Sequence, residues 1–196
     1  MRISSFKWRL IAWAGLLAAV AFVYRFVFRA EVFAANDFFR IYVPDAFFTL
    51  ESLKHGELPL WNPYQRLGQP FLGNPLTQAL YPPRLLPVLV AGPFWGTTIE
   101  QVLHVVLAAS GTALAARKLG ASRAASLLSG ATLGLGVLSP MALLNVNGAI
   151  AWSGWMAASS LDLARRPGWA PAAWLAIFTC LSFLSGLPEA LLWQGP

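Results

Sequence analysis

Asp37, in the run Asn36-Asp37-Phe38-Phe39-Arg40, is the carboxylate of this chain best placed to act as a base. It stands about nine residues beyond an apolar segment that ends near Phe28, between aromatic residues and close to a cation. Desolvation raises a carboxyl pKa and a neighbouring cation lowers it, and either setting suits a general base or a metal ligand. The position equally fits a surface carboxylate paired with Arg40 or Arg29, or one that caps a turn. His104 lies four residues after Glu100, so the two can share a helix face. An ionisable group at membrane depth marks a functional site by default, although a histidine turned into a helical bundle also serves as a satisfied hydrogen-bonding residue. Glu189, after Gly186-Leu187-Pro188, is a further candidate that could face the same side as Asp37.

Other polar residues have structural readings. Asp45 opens an expected helix, where its charge suits the dipole. Glu51 sits four residues before His55, and Glu57 follows the glycine that ends the same helix. Asn145, Asn147 and Trp152 fall near an expected interhelical turn. Cys180 is the one cysteine, so no intrachain disulfide forms and no zinc-site spacing is present. Whether a divalent metal takes part is left open. Phosphate loops, dinucleotide fingerprints, nucleophile elbows and zincin motifs are absent from the sequence, which argues against soluble nucleotide chemistry.

The elements that must position these residues are apolar. Hydrophobic residues make up 57% of the chain and charged residues 11%, against roughly 25% charge in an ordinary soluble domain. That composition predicts an integral membrane protein of all-α class, a polytopic helical bundle. A bilayer crossing needs about 20 apolar helical residues, and five segments qualify, at 10–28, 98–116, 124–144, 149–164 and 171–187. The fourth is short and polar enough to be tilted or partly inserted. Small residues in the second and third (Ala108, Ala109, Gly111, Gly130, Gly134) read as close helix packing.

The pI of about 10.1 is a topology signal. Arg2, Lys7, Arg9, Arg117, Lys118, Arg123, Arg165 and Arg166 all flank the spans on one side, as the positive-inside rule requires. The connection between the first two spans is neutral, which argues against nucleic-acid binding. The N-terminus is therefore expected in the cytoplasm, with a retained first helix because no small-residue cleavage site follows its apolar run.

The loop from about 29 to 97 is then extracytoplasmic. Nine of fourteen prolines lie between Glu31 and Pro93, which predicts a rigid, water-facing connection. Pro44, Asp45, Lys54, His55 and Gly56 are start and stop signals for a short helix, with Phe47, Leu50 and Leu53 as its apolar side, lying at the membrane interface. Beyond it, prolines from Pro59 to Pro87 are expected to exclude a long helix. Trp61, Tyr64, Phe71 and Tyr81 read as headgroup-level anchors. The chain stops just past the fifth span, which predicts the N-terminal part of one longer membrane domain.

The loop carries a recognisable pattern: Asp37, Tyr42-Val43-Pro44, then Gly56, Pro59, Trp61, Asn62, Pro63 and Tyr64 in one run, Gly68 and Pro70, Asn74-Pro75, and Tyr81-Pro82-Pro83. With the later Ser185-Gly186-Leu187-Pro188-Glu189, it resembles the bacterial YfhO-like membrane proteins of the GT-C class of polytopic glycosyltransferases. Leu67 departs from the pattern, standing where a second glycine is common. The resemblance implies transfer of a sugar from a polyprenyl-phosphate carrier to a cell-envelope acceptor outside the bacterial cytoplasmic membrane. It also implies Asp37 as the catalytic base or a metal-linked carboxylate. Arg29, Arg40 or Arg66 could then engage the donor phosphate. A transporter or flippase component, and a non-catalytic scaffold that docks a partner through the loop, are the alternatives.

Overall fold

A computed structural model describes residues 5–25, 37–138 and 143–193, and these are mostly helical. Helix α1 spans Ser5–Val23. A π-helical turn, Phe38–Tyr42, runs directly into α2, Val43–Lys54. Strands β1 (Trp61–Asn62) and β2 (Gln69–Pro70) pair antiparallel, Trp61 opposite Pro70 and Asn62 opposite Gln69. A 3-10 turn at Pro75–Thr77 leads to α3 (Pro82–Lys118), α4 (Arg123–Ala131) with a π-helical extension Thr132–Leu138, α5 (Leu144–Arg165), α6 (Trp169–Leu184) and α7 (Ala190–Trp193). Of the described helices, α3 is long and apolar enough to cross a membrane. Shorter apolar helices run at Trp13–Val23, Arg123–Leu138 and Trp169–Leu184.

The α2 signals hold. Proline occupies its first turn beside Asp45, Lys54 lies in its last turn, and Gly56 follows at φ +74°. Its faces depart from expectation at two positions, Thr49 being buried and Phe47 exposed, while Leu50 and Leu53 are half-buried and Glu51 and Lys54 are exposed. The helix packs on α3, and its buried polar residues are satisfied locally, Asp45 by Gln65 and Thr49 by the Asp45 carbonyl. Phe47 instead meets Phe94 edge-on at 5.8 Å.

Prolines do not keep the chain out of a helix after residue 81. Pro82 and Pro83 start α3, at positions whose amides have no intrahelical acceptor to lose. The helix breaks at Gly92 (φ +78°, ψ 173°), a conformation glycine tolerates. The second arm, 93–118, is roughly 39 Å long at 1.5 Å per residue. The first arm, 82–91, folds back on it so closely that a Cβ on Gly96 would stand 2.5 Å from the Val88 Cα. What reads as loop up to residue 97 is thus a helical hairpin.

Other boundaries shift as well. The third apolar segment passes from α4 into the π-helical stretch and its described helix ends at Leu138; Pro140 and the expected end of the first span lie outside the described residues. Leu144, Asn145 and Asn147 open α5 and are buried, so the asparagines are not turn residues. The fifth segment runs Trp169–Leu184 and stops before Gly186 at φ +96°.

The centre of the bundle joins α1, α3, the π-helical extension and α5 through Val20, Tyr24, Val105, Ala108, Leu138 and Ala151. Glycines set the spacing. A methyl on Gly154 of α5 would overlap the Gly111 carbonyl carbon and Thr112 amide nitrogen of α3, and one on Gly130 would overlap the Ala109 carbonyl. Backbone cannot swing aside as a side chain can. Gly154→Ala is accordingly expected to destabilise by about 1–3 kcal/mol, the usual cost of overpacking, measured as a lower unfolding midpoint. An unchanged midpoint would mean that α3 and α5 do not cross at this distance.

Candidate functional site

The loop that carries the motif residues is folded onto the helices by a chain of buried polar contacts. Arg84, 3% exposed, donates from Nη1 to Glu100 Oε2 at 3.0 Å and to Gln78 Oε1 at 3.1 Å, and from Nη2 to the Tyr42 carbonyl. Its guanidinium also lies 5.7 Å from the centre of the Tyr42 ring. Because Arg84 and Glu100 sit on opposite arms of α3, their ion pair closes the hairpin folded at Gly92. Tyr42 in turn donates to Asn145 Oδ1 of α5 at 2.8 Å. Burial pushes the Tyr42 phenol up to about 12, with the Asp37 charge adding to the effect.

A second chain lies beside it. Trp152 Nε1 donates to the Tyr81 oxygen at 2.8 Å, and that hydroxyl is 2.9 Å from His104 Nε2. An indole N–H can only donate, so the Tyr81 oxygen accepts from Trp152 while its contact with His104 Nε2 takes its direction from the imidazole tautomer. His104 is fully buried, and among the described residues neither its Nδ1 nor Glu100 Oε1 has a hydrogen-bond partner. Deeper still, Gln101 donates to the Leu138 carbonyl at 3.0 Å and accepts from Asn147 Nδ2 at 2.7 Å.

The two halves of the sequence motif meet here. Gln78 donates to the Ser185 carbonyl at 2.6 Å, and a Cβ on Gly186 would come within 2.6 Å of the Pro75 carbonyl oxygen. Asn74 caps the turn through its side chain, which accepts from the Leu76 amide. Farther out, a Cβ on Gly68 (φ +102°) would stand 2.9 Å from the Trp61 ring, and Asn62 accepts from the Tyr64 amide. Phe71 and Tyr81 are fully buried and so are not surface anchors, whereas Trp61 and Tyr64 are exposed. Pro59 is buried, and Pro63 and Pro70 are exposed.

Asp37 begins the π-helical turn. Its carbonyl accepts from the Ile41 and Tyr42 amides, but its half-buried side chain makes no capping bond. Arg40 and Arg66 are both exposed, Arg66 with φ +51°, and Arg29 lies outside the described residues. Glu189 is exposed beside α7. Glu51 bonds Lys54 at 2.7 Å and leaves His55 to contact only its carbonyl. Among the described residues, no three His, Cys, Asp or Glu side chains converge as a metal site.

Sequence reasoning missed Arg84 and Gln78, and held Tyr42 only as a member of the loop pattern. Arg84 gave one signal: it is a lone charge among Leu85, Leu86, Val88 and Leu89, and such charges are paired when buried. Asp45 is also more than a helix opener, since it is buried and accepts from Gln65 Nε2 at 2.9 Å. Burial raises its carboxyl above the usual range, against the opposing bond from Gln65 and the charge of Arg84.

A raised acid favours the fold when protonated. Stability from this group is therefore complete below the unfolded value of about 3.9 and is lost as pH rises through the folded one. Asp45→Asn, which keeps the acceptor for Gln65, is expected to raise the unfolding midpoint at pH 7 and to have no effect below about pH 4. A lower midpoint at pH 7 would show that the charge itself is needed.

Comparison with known proteins gives no match to a family model, a curated protein or a solved structure.

Proposed function

We propose that the chain forms part of a polytopic bundle in the bacterial cytoplasmic membrane. In this reading its first loop is extracytoplasmic and transfers a sugar from a polyprenyl-phosphate donor to a cell-envelope acceptor. The reading draws on the loop's likeness to YfhO-like glycosyltransferases and on the basic residues gathered at one end of the helices. One observation carries it: among the described residues the Asp37 side chain makes no capping bond and no ion pair, on a turn that Tyr42 and Arg84 fasten to the bundle. A base needs a fixed position and a lone pair open to the acceptor, and this placement of Asp37 supports both.

In this mechanism a lipid-linked donor, held in the leaflet, presents its phosphate at headgroup depth to Arg40 or Arg66 through charge-assisted hydrogen bonds. The Asp37 carboxylate takes the proton of the acceptor hydroxyl as that oxygen attacks the anomeric carbon, and the phosphate departs with the bonding pair. The buried network holds the turn and takes no part in bond breaking. Transfer from a panel of polyprenyl-phosphate sugars, by membranes carrying the wild-type protein or Asp37→Asn, tests this. Equal transfer by the two would overturn it.

A transporter or flippase component is the second reading. It draws on the broken helix α3 and on the ionisable Arg84, Glu100 and His104 buried around its hairpin, features of substrate and proton pathways in membranes. Substrate flux across proteoliposomes without sugar transfer would favour it.

A further inference from the structure

A cavity of about 610 Å³ opens between α1, the 93–118 arm of α3, and α4 with its π-helical extension. Its wall is apolar, formed by Leu16, Ala19, Ala113, Leu127 and Leu135 among others, and among the described residues it includes no Asp or Glu. Its charged lining residues are Arg117 in the last turn of α3 and Arg123 in the first turn of α4. The other end of α1 packs through Val20 and Tyr24 on Val105 and Leu138, so the arginines stand at the end where α1 begins. Lys7 and Arg9 lie in the helical turn just before Ile11, which also lines the cavity.

The volume falls within the roughly 300–1,000 Å³ of small-molecule sites, yet its polarity is segregated as an amphiphile requires. Arg117 uses one N–H on the Ala121 carbonyl, and a guanidinium has further donors to offer. Arg123 is exposed, next to a helix N-terminus whose dipole also favours an anion. We propose that this groove binds one anionic glycerophospholipid of the cytoplasmic leaflet, with its phosphate on Arg117 and Arg123 and an acyl chain along Leu16, Ala19, Leu127 and Leu135. Charge complementarity favours this occupant: two arginines at one end of an otherwise apolar groove match a phosphate head joined to an acyl chain. The site rests on the membrane reading above but not on sugar transfer, since it lies at the basic end of the bundle, away from Asp37.

Native mass spectrometry of the detergent-solubilised full chain, offered equal amounts of phosphatidylglycerol and phosphatidylcholine, tests the proposal. One phosphatidylglycerol adduct is expected, favoured by roughly fivefold for each arginine. Arg117→Gln with Arg123→Gln is expected to erase that preference at an unchanged unfolding midpoint. Ala19→Trp, which fills the cavity, is expected to remove the adduct of either lipid. Equal uptake of the two lipids by the wild type would overturn the site, as would a preference that survives loss of both arginines. Displacement of the lipid by millimolar inorganic phosphate would reduce it to a bare anion site, and a dimer that Ala19→Trp dissociates would make a second copy the occupant. Recovery of the chain in the soluble fraction would instead refute the membrane reading itself.

Discussion

Arg84→Met is expected to destabilise the protein by about 3–5 kcal/mol, the cost of leaving the partner of a buried ion pair uncompensated. Glu100 is fully buried and accepts from Arg84 at 3.0 Å. Removing the guanidinium would also strand Gln78 Oε1 and take a donor from the Tyr42 carbonyl, each of which accepts from it. Lysine would be a poor substitute, because one ammonium cannot reproduce the planar fork that serves three acceptors. The loss should appear as an early unfolding transition in detergent, accompanied by protease cleavage of the loop whose anchors are gone. The double variant Arg84→Met with Glu100→Leu separates pairing from packing. A buried pair replaced on both sides by apolar residues is often neutral or stabilising, so the double variant is expected to be more stable than Arg84→Met alone. If the single variant unfolds at the wild-type midpoint, the pair is not buried and the hairpin at Gly92 is held by something else.

That hairpin also shows where reading the sequence stops. The helical class followed from composition, and α2 followed from local chemistry, because proline, acid, base and glycine act within a turn of where they stand. The fold-back of α3 did not follow. Pro82, Pro83 and Pro87 read as helix breakers when counted along the chain, yet all three lie in the first arm of α3, which breaks at Gly92. The partner of Arg84 sits sixteen residues away on the other arm, a separation without helical periodicity. Phe71 and Tyr81 were misread for a related reason. Residue type places an aromatic ring at a membrane surface, but here Phe71 packs on Phe48 of α2 and Tyr81 on His104 of α3 and Trp152 of α5.

The candidate site divides along the same line. Asn74, Gly68 and Gly186 were legible as motif members, and each now has a local cause: a cap, a ring contact, a backbone approach. Their roles are structural. They shape the loop, which moves the chemical question onto the side chains that the loop leaves uncommitted.

Asp37→Asn is therefore expected to reduce sugar transfer by about 10²–10⁴-fold, the range contributed by a positioned general base, while the unfolding midpoint stays put. The side chain makes no capping bond, so an isosteric amide removes no described contact, and substitutions of that kind usually stay within about 0.5 kcal/mol. An independent readout comes from Tyr42. Its phenol is raised first by burial and next by the Asp37 charge, so neutralising residue 37 should lower the Tyr42 titration in an ultraviolet pH scan without moving the phenol from Asn145. Were Asp37 merely a surface carboxylate, the tyrosine would shift and transfer would persist. Were it a structural cap, transfer and midpoint would fall together, as they should for Arg84→Met. Lost transfer at an intact midpoint, with the tyrosine shifted, is the combination expected of a carboxylate that acts in the reaction and not in the fold.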